Sequence, residues 1–148
     1  MRPKTRVKIC GITNTEDMDA AIKYGVYYAG IMFFEKSPRF VDLDQAKQLS
    51  LHADNAIKKV AVTVDFDNHM LDEIVENVPL DYIQLHGNET PSRVKEIKLR
   101  YQLPVIKALG VSEIADLELI PPFTDVADQL LIDAKSPSSS NLPGGNGL

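Results

Sequence analysis

Val7-Lys8-Ile9-Cys10-Gly11-Ile12-Thr13 near the start and Leu130-Leu131-Ile132-Asp133 near the end both read as β-strands. Each run carries a chemically useful side chain at its C-terminal end, a thiol in the first and a carboxylate in the second. In an α/β barrel the C-terminal ends of the strands are where catalytic groups gather. The two stretches therefore raise a fold and a site together.

Working outward, short β-rich runs alternate with helical periodicity. The expected strands are 7–12, 28–34, 59–64, 82–86, 105–109 and 129–133. Between them, Asn14 ahead of Thr15-Glu16-Asp17 reads as an N-cap with acids in the first turn. Asp42 opens a helix around Ala46 and Leu49. Leu71, Ile74, Val75 and Val78 form an apolar helical stripe. Thr90-Pro91 supplies a cap and an N1 proline for a helix carrying Val94, Ile97 and Tyr101. Ser112 is expected to cap a fifth helix over Glu113–Leu119. Strand–helix units in this rhythm predict βαβ crossovers and an all-parallel sheet.

One feature separates the two main parallel architectures. Strands covered on both faces should be apolar throughout, yet Lys8, Cys10, Gln84, His86, Lys107 and Asp133 interrupt four of them. Side chains alternate along a strand, and these polar groups are expected to share one face. A sheet curled into a barrel collects them in its lumen and upper rim. An open doubly wound sheet buries each under helices, where each needs its own partner. The barrel explains the pattern at lower cost.

Composition sets the outer bounds. The 148 residues suit a single domain, and the formal charge of −5 with no basic stripe argues against nucleic acid as a partner. The one cysteine excludes an intrachain disulfide and any multi-thiolate metal site. No apolar run is long enough to span a bilayer, and the basic start (Met1-Arg2-Pro3-Lys4-Thr5-Arg6) lacks a signal core. No membrane association and a cytoplasmic location are the expectations.

The chain resembles the phosphoribosylanthranilate isomerase family of tryptophan biosynthesis. The matching stretches are Lys8-Ile9-Cys10-Gly11-Ile12-Thr13, Ser37-Pro38-Arg39-Phe40-Val41, Gln84-Leu85-His86-Gly87-Asn88-Glu89, Val105-Ile106-Lys107-Ala108, Leu131-Ile132-Asp133-Ala134 and Gly144-Gly145-Asn146-Gly147. Any one is weak; six in the family's order across essentially the whole chain are specific. The resemblance implies a parallel (β/α)8 TIM-barrel fold in one domain over 1–148. Only about six strands and five helices are expected here, an incomplete barrel without the last two βα units.

The implied reaction is an Amadori rearrangement of N-(5-phosphoribosyl)anthranilate to 1-(2-carboxyphenylamino)-1-deoxyribulose 5-phosphate. It needs an acid to protonate the furanose oxygen and a base to remove the proton from C2. By motif match Cys10 is the general base and Asp133 the general acid. Lys8 is expected to help hold the thiolate, and desolvation to keep Asp133 protonated. Arg39 is implied for the anthranilate carboxylate, which suits a planar guanidinium. Gln84 and His86 would line the sugar pocket, and the Gly144-Gly145 pair would lie near the phosphate. No cofactor or metal is required, because the imine is its own electron sink.

Blander readings exist for each residue. Cys10 could be a small buried hydrophobe, Asp133 a loop cap and Arg39 a solvated surface group. A non-catalytic barrel remnant serving as an oligomerising module is the alternative from another class, with unpaired sheet edges as its means of self-association. A second enzymatic rival, the indole-glycerol-phosphate synthase type, would call for a catalytic lysine and glutamate. Because the chain ends inside the glycine motif, the 148-residue polypeptide is expected to be weakly active or inactive.

Overall fold

The computed structural model describes residues 5–134. Six strands, β1 (Lys8–Cys10), β2 (Tyr28–Met32), β3 (Lys58–Thr63), β4 (Tyr82–Leu85), β5 (Val105–Val111) and β6 (Gln129–Ala134), overlap the six expected ones. All neighbours are parallel, and the sheet order follows the chain from β1 to β6. A doubly wound sheet would reverse its order at a switch point; sequential order is that of a barrel wall. The wall is curved. Gln129 Nε2 on β6 donates to the Tyr28 hydroxyl on β2 at 2.9 Å, a contact between strands with three others between them in the sheet.

Four α-helices pack on the convex side: α1 (Thr15–Lys23), α2 (Leu43–Ala53), α3 (Asn68–Asn77) and α4 (Pro91–Tyr101). Each starts where a side-chain oxygen satisfies a first-turn amide. Asn14 accepts from Asp17 N at 2.8 Å, Asp42 from Gln45 N at 2.8 Å, Asp67 from Met70 N at 2.9 Å and Thr90 from Arg93 N at 3.2 Å. Each such cap contributes about 1 kcal/mol. Where the fifth helix is expected, the chain forms a 3-10 helix, Ile114–Leu119, whose N-cap is Glu113 rather than Ser112. Asp116 accepts from the amides of Ser112 and Glu113 and from the Ser112 hydroxyl, closing the turn tightly. Pro121 and Pro122 follow at once and leave no room for a longer helix.

The main core lies between sheet and helices. Met18 of α1 and Leu49 of α2 share one buried cluster with Ala29, Ile31 and Ala61 of the sheet, while Val94 and Ile97 of α4 share another with Ile83, Leu85 and Val105. Each large side chain buried there stabilises the fold by about 1.5–3 kcal/mol. The concave face has its own smaller cluster, Tyr28, Val60 and Ile106, with Tyr82 and Leu131 against it.

Register settles which side chains share the concave face. Lys8 and Cys10 align with Tyr28 and Gly30, Gln84 with Val62 and Ile106, and Asp133 with Gly110, one strand parity throughout. Lys107 does not belong to it. It aligns with Leu85 and Leu130 on the convex, helix-facing side, and Ile106 takes the lumenal position. The expectation fails there because a lysine can be buried under helices once its charge is matched, and Glu89 matches it at 2.8 Å.

Among the described residues, β1 and β6 each have one strand neighbour. Val7, Ile9 and Ile132 beside those edges are about half exposed, at 48%, 45% and 51%. No helix among the described residues is long and apolar enough to cross a membrane.

Candidate active site

β1 ends at Cys10, and the next residue turns the chain with φ +80° at Gly11. A side chain there would be strained by the backbone and blocked by Arg39, whose Cδ lies 2.6 Å from where the Cβ would be. Arg39 lies across this glycine and donates from Nη1 to the Cys10 carbonyl at 2.8 Å. The loop carrying Arg39 folds back on its own strand. Phe40 bridges Met32, Val41 N donates to Met32 O at 3.0 Å, and Ser37 Oγ accepts from Arg39 N at 3.2 Å. An exposed guanidinium is thereby fixed above the end of β1.

The thiol has a second close neighbour. A Cβ added to Gly30 on β2 would meet Cys10 Cα, Cys10 Sγ and Lys8 Nζ, each at 3.1 Å. Gly30 is therefore the open space onto which both the sulfur and the ammonium of Lys8 border. The sequence alone does not mark it, although a glycine inside a strand signals the close approach of another group.

At the tip of β4, Gln84 and His86 point into the concave side. Gln84 Nε2 donates to His86 Nδ1 at 3.0 Å, which leaves the imidazole proton on Nε2. That Nε2 faces Asp133 Oδ2 on β6 at 3.4 Å, and Asp133 Oδ1 accepts from Ala134 N at 2.9 Å. Gln84 Oε1 is buried with no partner among the described residues. Burial holds the His86 pKa below its ordinary value; Asp133 pulls it up, while Lys107 and Lys8 push it further down. The imidazole thus senses β1 through Lys8, β5 through Lys107 and β6 through Asp133.

Lys8, Cys10, Gln84, His86 and Asp133 all lie on the concave face, with Arg39 above β1. Asp133 differs from expectation in its surroundings. Its side chain is 36% exposed and lies 3.4 Å from the His86 ring. Gly144 and Gly145 lie outside the described residues. No cluster of metal-ligating side chains occurs among the described residues. A cleft of about 650 Å³ opens between the β2–α2 loop and α3, lined by Phe33, Phe40, Phe66 and Met70. None of the concave polar side chains lines it.

Sequential parallel strands with polar groups converging at their C-terminal ends define a barrel of the (β/α)8 class. Within that class the chain belongs to the N-(5'-phosphoribosyl)anthranilate isomerase family, whose model matches residues 7–148. It is 53% identical over 143 residues to the enzyme of that name from Cereibacter sphaeroides, covering 97% of this chain and 68% of the relative. The Rhizobium meliloti enzyme is 51% identical over 145 residues, with 98% and 67% covered. The crystal structure of phosphoribosyl anthranilate isomerase from Thermotoga maritima superimposes with a TM-score of 0.84 at 32% identity, over 91% of this chain and 64% of that one. A structure in complex with reduced 1-(o-carboxyphenylamino)-1-deoxyribulose 5-phosphate matches with a TM-score of 0.82 at 32% identity, covering 90% and 66%. The chain thus spans about two-thirds of the length of these relatives.

Proposed function

We propose that this chain carries the acid, the base and the aryl-carboxylate contact of an isomerase acting on N-(5-phosphoribosyl)anthranilate. One observation carries the reading. Cys10 is the last residue of β1 and Asp133 the last but one of β6, at the two edges of the described sheet and on the same concave face, and Arg39 is fastened to the backbone of Cys10.

Chemistry follows from this placement. Asp133 gives a proton to the furanose oxygen, the C1–O bond breaks, and the nitrogen lone pair forms the iminium. Cys10, as thiolate, removes the C2 proton; the electrons move through C1 to nitrogen and give an enolamine. Proton return to C1 and loss of the enol proton yield the ketone. No outside oxidant or electron sink is required, so no cofactor is assigned. Lys8 sets a positive charge beside a sulfur that acts as an anion. His86 Nε2, 3.4 Å from Asp133 Oδ2, stands beside the carboxylate that Asp133 becomes after giving up its proton. Gln84 fixes the imidazole tautomer, and its unpartnered Oε1 offers an acceptor to a sugar hydroxyl. Arg39 takes the anthranilate carboxylate. Gly144 and Gly145 are assigned to the phosphate on motif match alone.

The edges of β1 and β6, each with one strand neighbour among the described residues and with half-exposed Ile9 and Ile132 beside them, support self-association of the 148-residue polypeptide. Light scattering reads that directly. For the activity, the test is turnover of N-(5-phosphoribosyl)anthranilate, followed by its fluorescence. It is run on this chain and on a chimera carrying the remaining part of the Cereibacter sphaeroides relative. Turnover by the chimera supports the reading; a cooperatively folded chimera with none contradicts it.

A further inference from the structure

Glu89 and Lys107 belong to the motifs of the β4 loop and β5, yet neither faces the concave site. Both are buried, with side chains 3% and 2% exposed, and they pair at 2.8 Å on the helix side of the sheet. Such a pair adds little net stability compared with apolar residues of similar volume, because two charges must be desolvated. Its other bonds show what it holds. Glu89 Oε2 accepts from Gly87 N at 3.0 Å and Oε1 from Asp65 N at 2.9 Å. Lys107 Nζ donates to Gly87 O at 2.7 Å and lies 3.4 Å from Leu85 O. The peptide groups on both sides of the Gly87 α-carbon are therefore gripped by the same ion pair.

A third group closes the grip. Asp65, in a left-handed conformation at φ 54°, accepts from Asn88 N at 2.6 Å. Its carboxylate lies 2.5 Å from where a Gly87 Cβ would be, so only glycine fits at this position. His86 is the residue directly before Gly87. Its own amide donates to Thr63 O at 2.9 Å, and its ring faces Asp133 at 3.4 Å.

We infer that the Glu89–Lys107 pair is a positioning device. It works from the back of the sheet, through the Gly87 peptide groups, to hold the His86 imidazole against the Asp133 carboxylate. That the carboxylate so held is the acid catalyst rests on the isomerase reading above; the mechanical link does not.

The test reads the link without using the reaction. His86 is titrated by NMR of its ring nitrogens in the 148-residue chain, with and without Asp133→Asn. The charges whose fields reach the ring are those of Asp133 and Lys8 on its own face and of Lys107 and Glu89 from behind the sheet, and Asp133 raises its midpoint. Asp133→Asn is therefore expected to lower that midpoint. The same comparison is then made in a Lys107→Met/Glu89→Gln background, which removes both buried charges together and so avoids an unpaired one. There most of the Asp133-dependent shift is expected to vanish. A purely structural pair would lower the melting temperature and leave the shift intact. An equal shift in both backgrounds overturns the inference, as does the absence of any shift in the native one. Turnover is measured separately, so a preserved link without isomerase activity would count against the function and not against the device.

Discussion

The guanidinium of Arg39 donates a 2.8 Å hydrogen bond to the backbone carbonyl of Cys10, so the group assigned to the aryl carboxylate is anchored to the residue assigned as base. The anchor depends on the missing side chain at Gly11, where a Cβ would lie 2.6 Å from Arg39 Cδ and φ is +80°. Gly11→Ala should destabilise the fold by about 1–3 kcal/mol from backbone strain alone, read by urea denaturation. It should also weaken binding of anthranilate-bearing ligands. Arg39→Ala should raise KM at least tenfold with little change in melting temperature, because Arg39 is exposed. Arg39→Lys should not restore affinity, since an ammonium cannot make the bidentate contact.

Gly30 shapes the space at the thiol. A methyl group there would meet both backbone and side chain of Cys10 at 3.1 Å. Gly30→Ala should slow alkylation of the sulfur by iodoacetamide several-fold. The reading is clean because Cys10 is the single cysteine of the chain. An unchanged alkylation rate would mean that the sulfur does not border this position.

His86 makes stability depend on pH with a definite sign. Its folded pKa lies below its ordinary value, chiefly through burial. Between the folded value and the unfolded value of about 6.5, the unfolded chain binds more protons, so stability rises with pH in that window. The contribution is complete above the unfolded value and is lost as pH falls through the window towards the folded one. His86→Gln should flatten that part of the stability–pH curve measured by denaturant unfolding. A slope unchanged by the substitution would show that another group is responsible.

Lys107 and Glu89 should behave asymmetrically as singles and as a pair. Lys107→Met leaves a buried carboxylate without its cation and should cost about 3–5 kcal/mol. The double replacement Lys107→Met/Glu89→Gln should cost markedly less than the single. Denaturant midpoints distinguish the two; equal losses would contradict the burial of the pair.

The fold was largely legible because strand and helix signals in this chain are local. β-rich runs sit between capped helices, and the caps at Asn14, Asp42 and Thr90 are found where the residue types place them. The short helix after β5 was less so, because its form depends on Asp116 bonding back to Ser112 and Glu113 and on the prolines that follow. Lys107 shows a sharper limit. Polarity suggests a lumenal position, but strand register and a partner contributed by another loop place it on the convex face. Cys10, His86 and Asp133 could be grouped by strand parity, whereas the His86–Asp133 approach and the role of Gly30 depend on distances between separate strands.

The most direct test of the account is the turnover number of Cys10→Ala and Asp133→Asn for N-(5-phosphoribosyl)anthranilate, measured in the chimera. Removal of a general acid or base should lower turnover by about 100- to 10,000-fold, with melting temperatures close to that of the parent. Turnover within a few-fold of the parent in both variants would contradict the assignment of the two proton transfers to these residues.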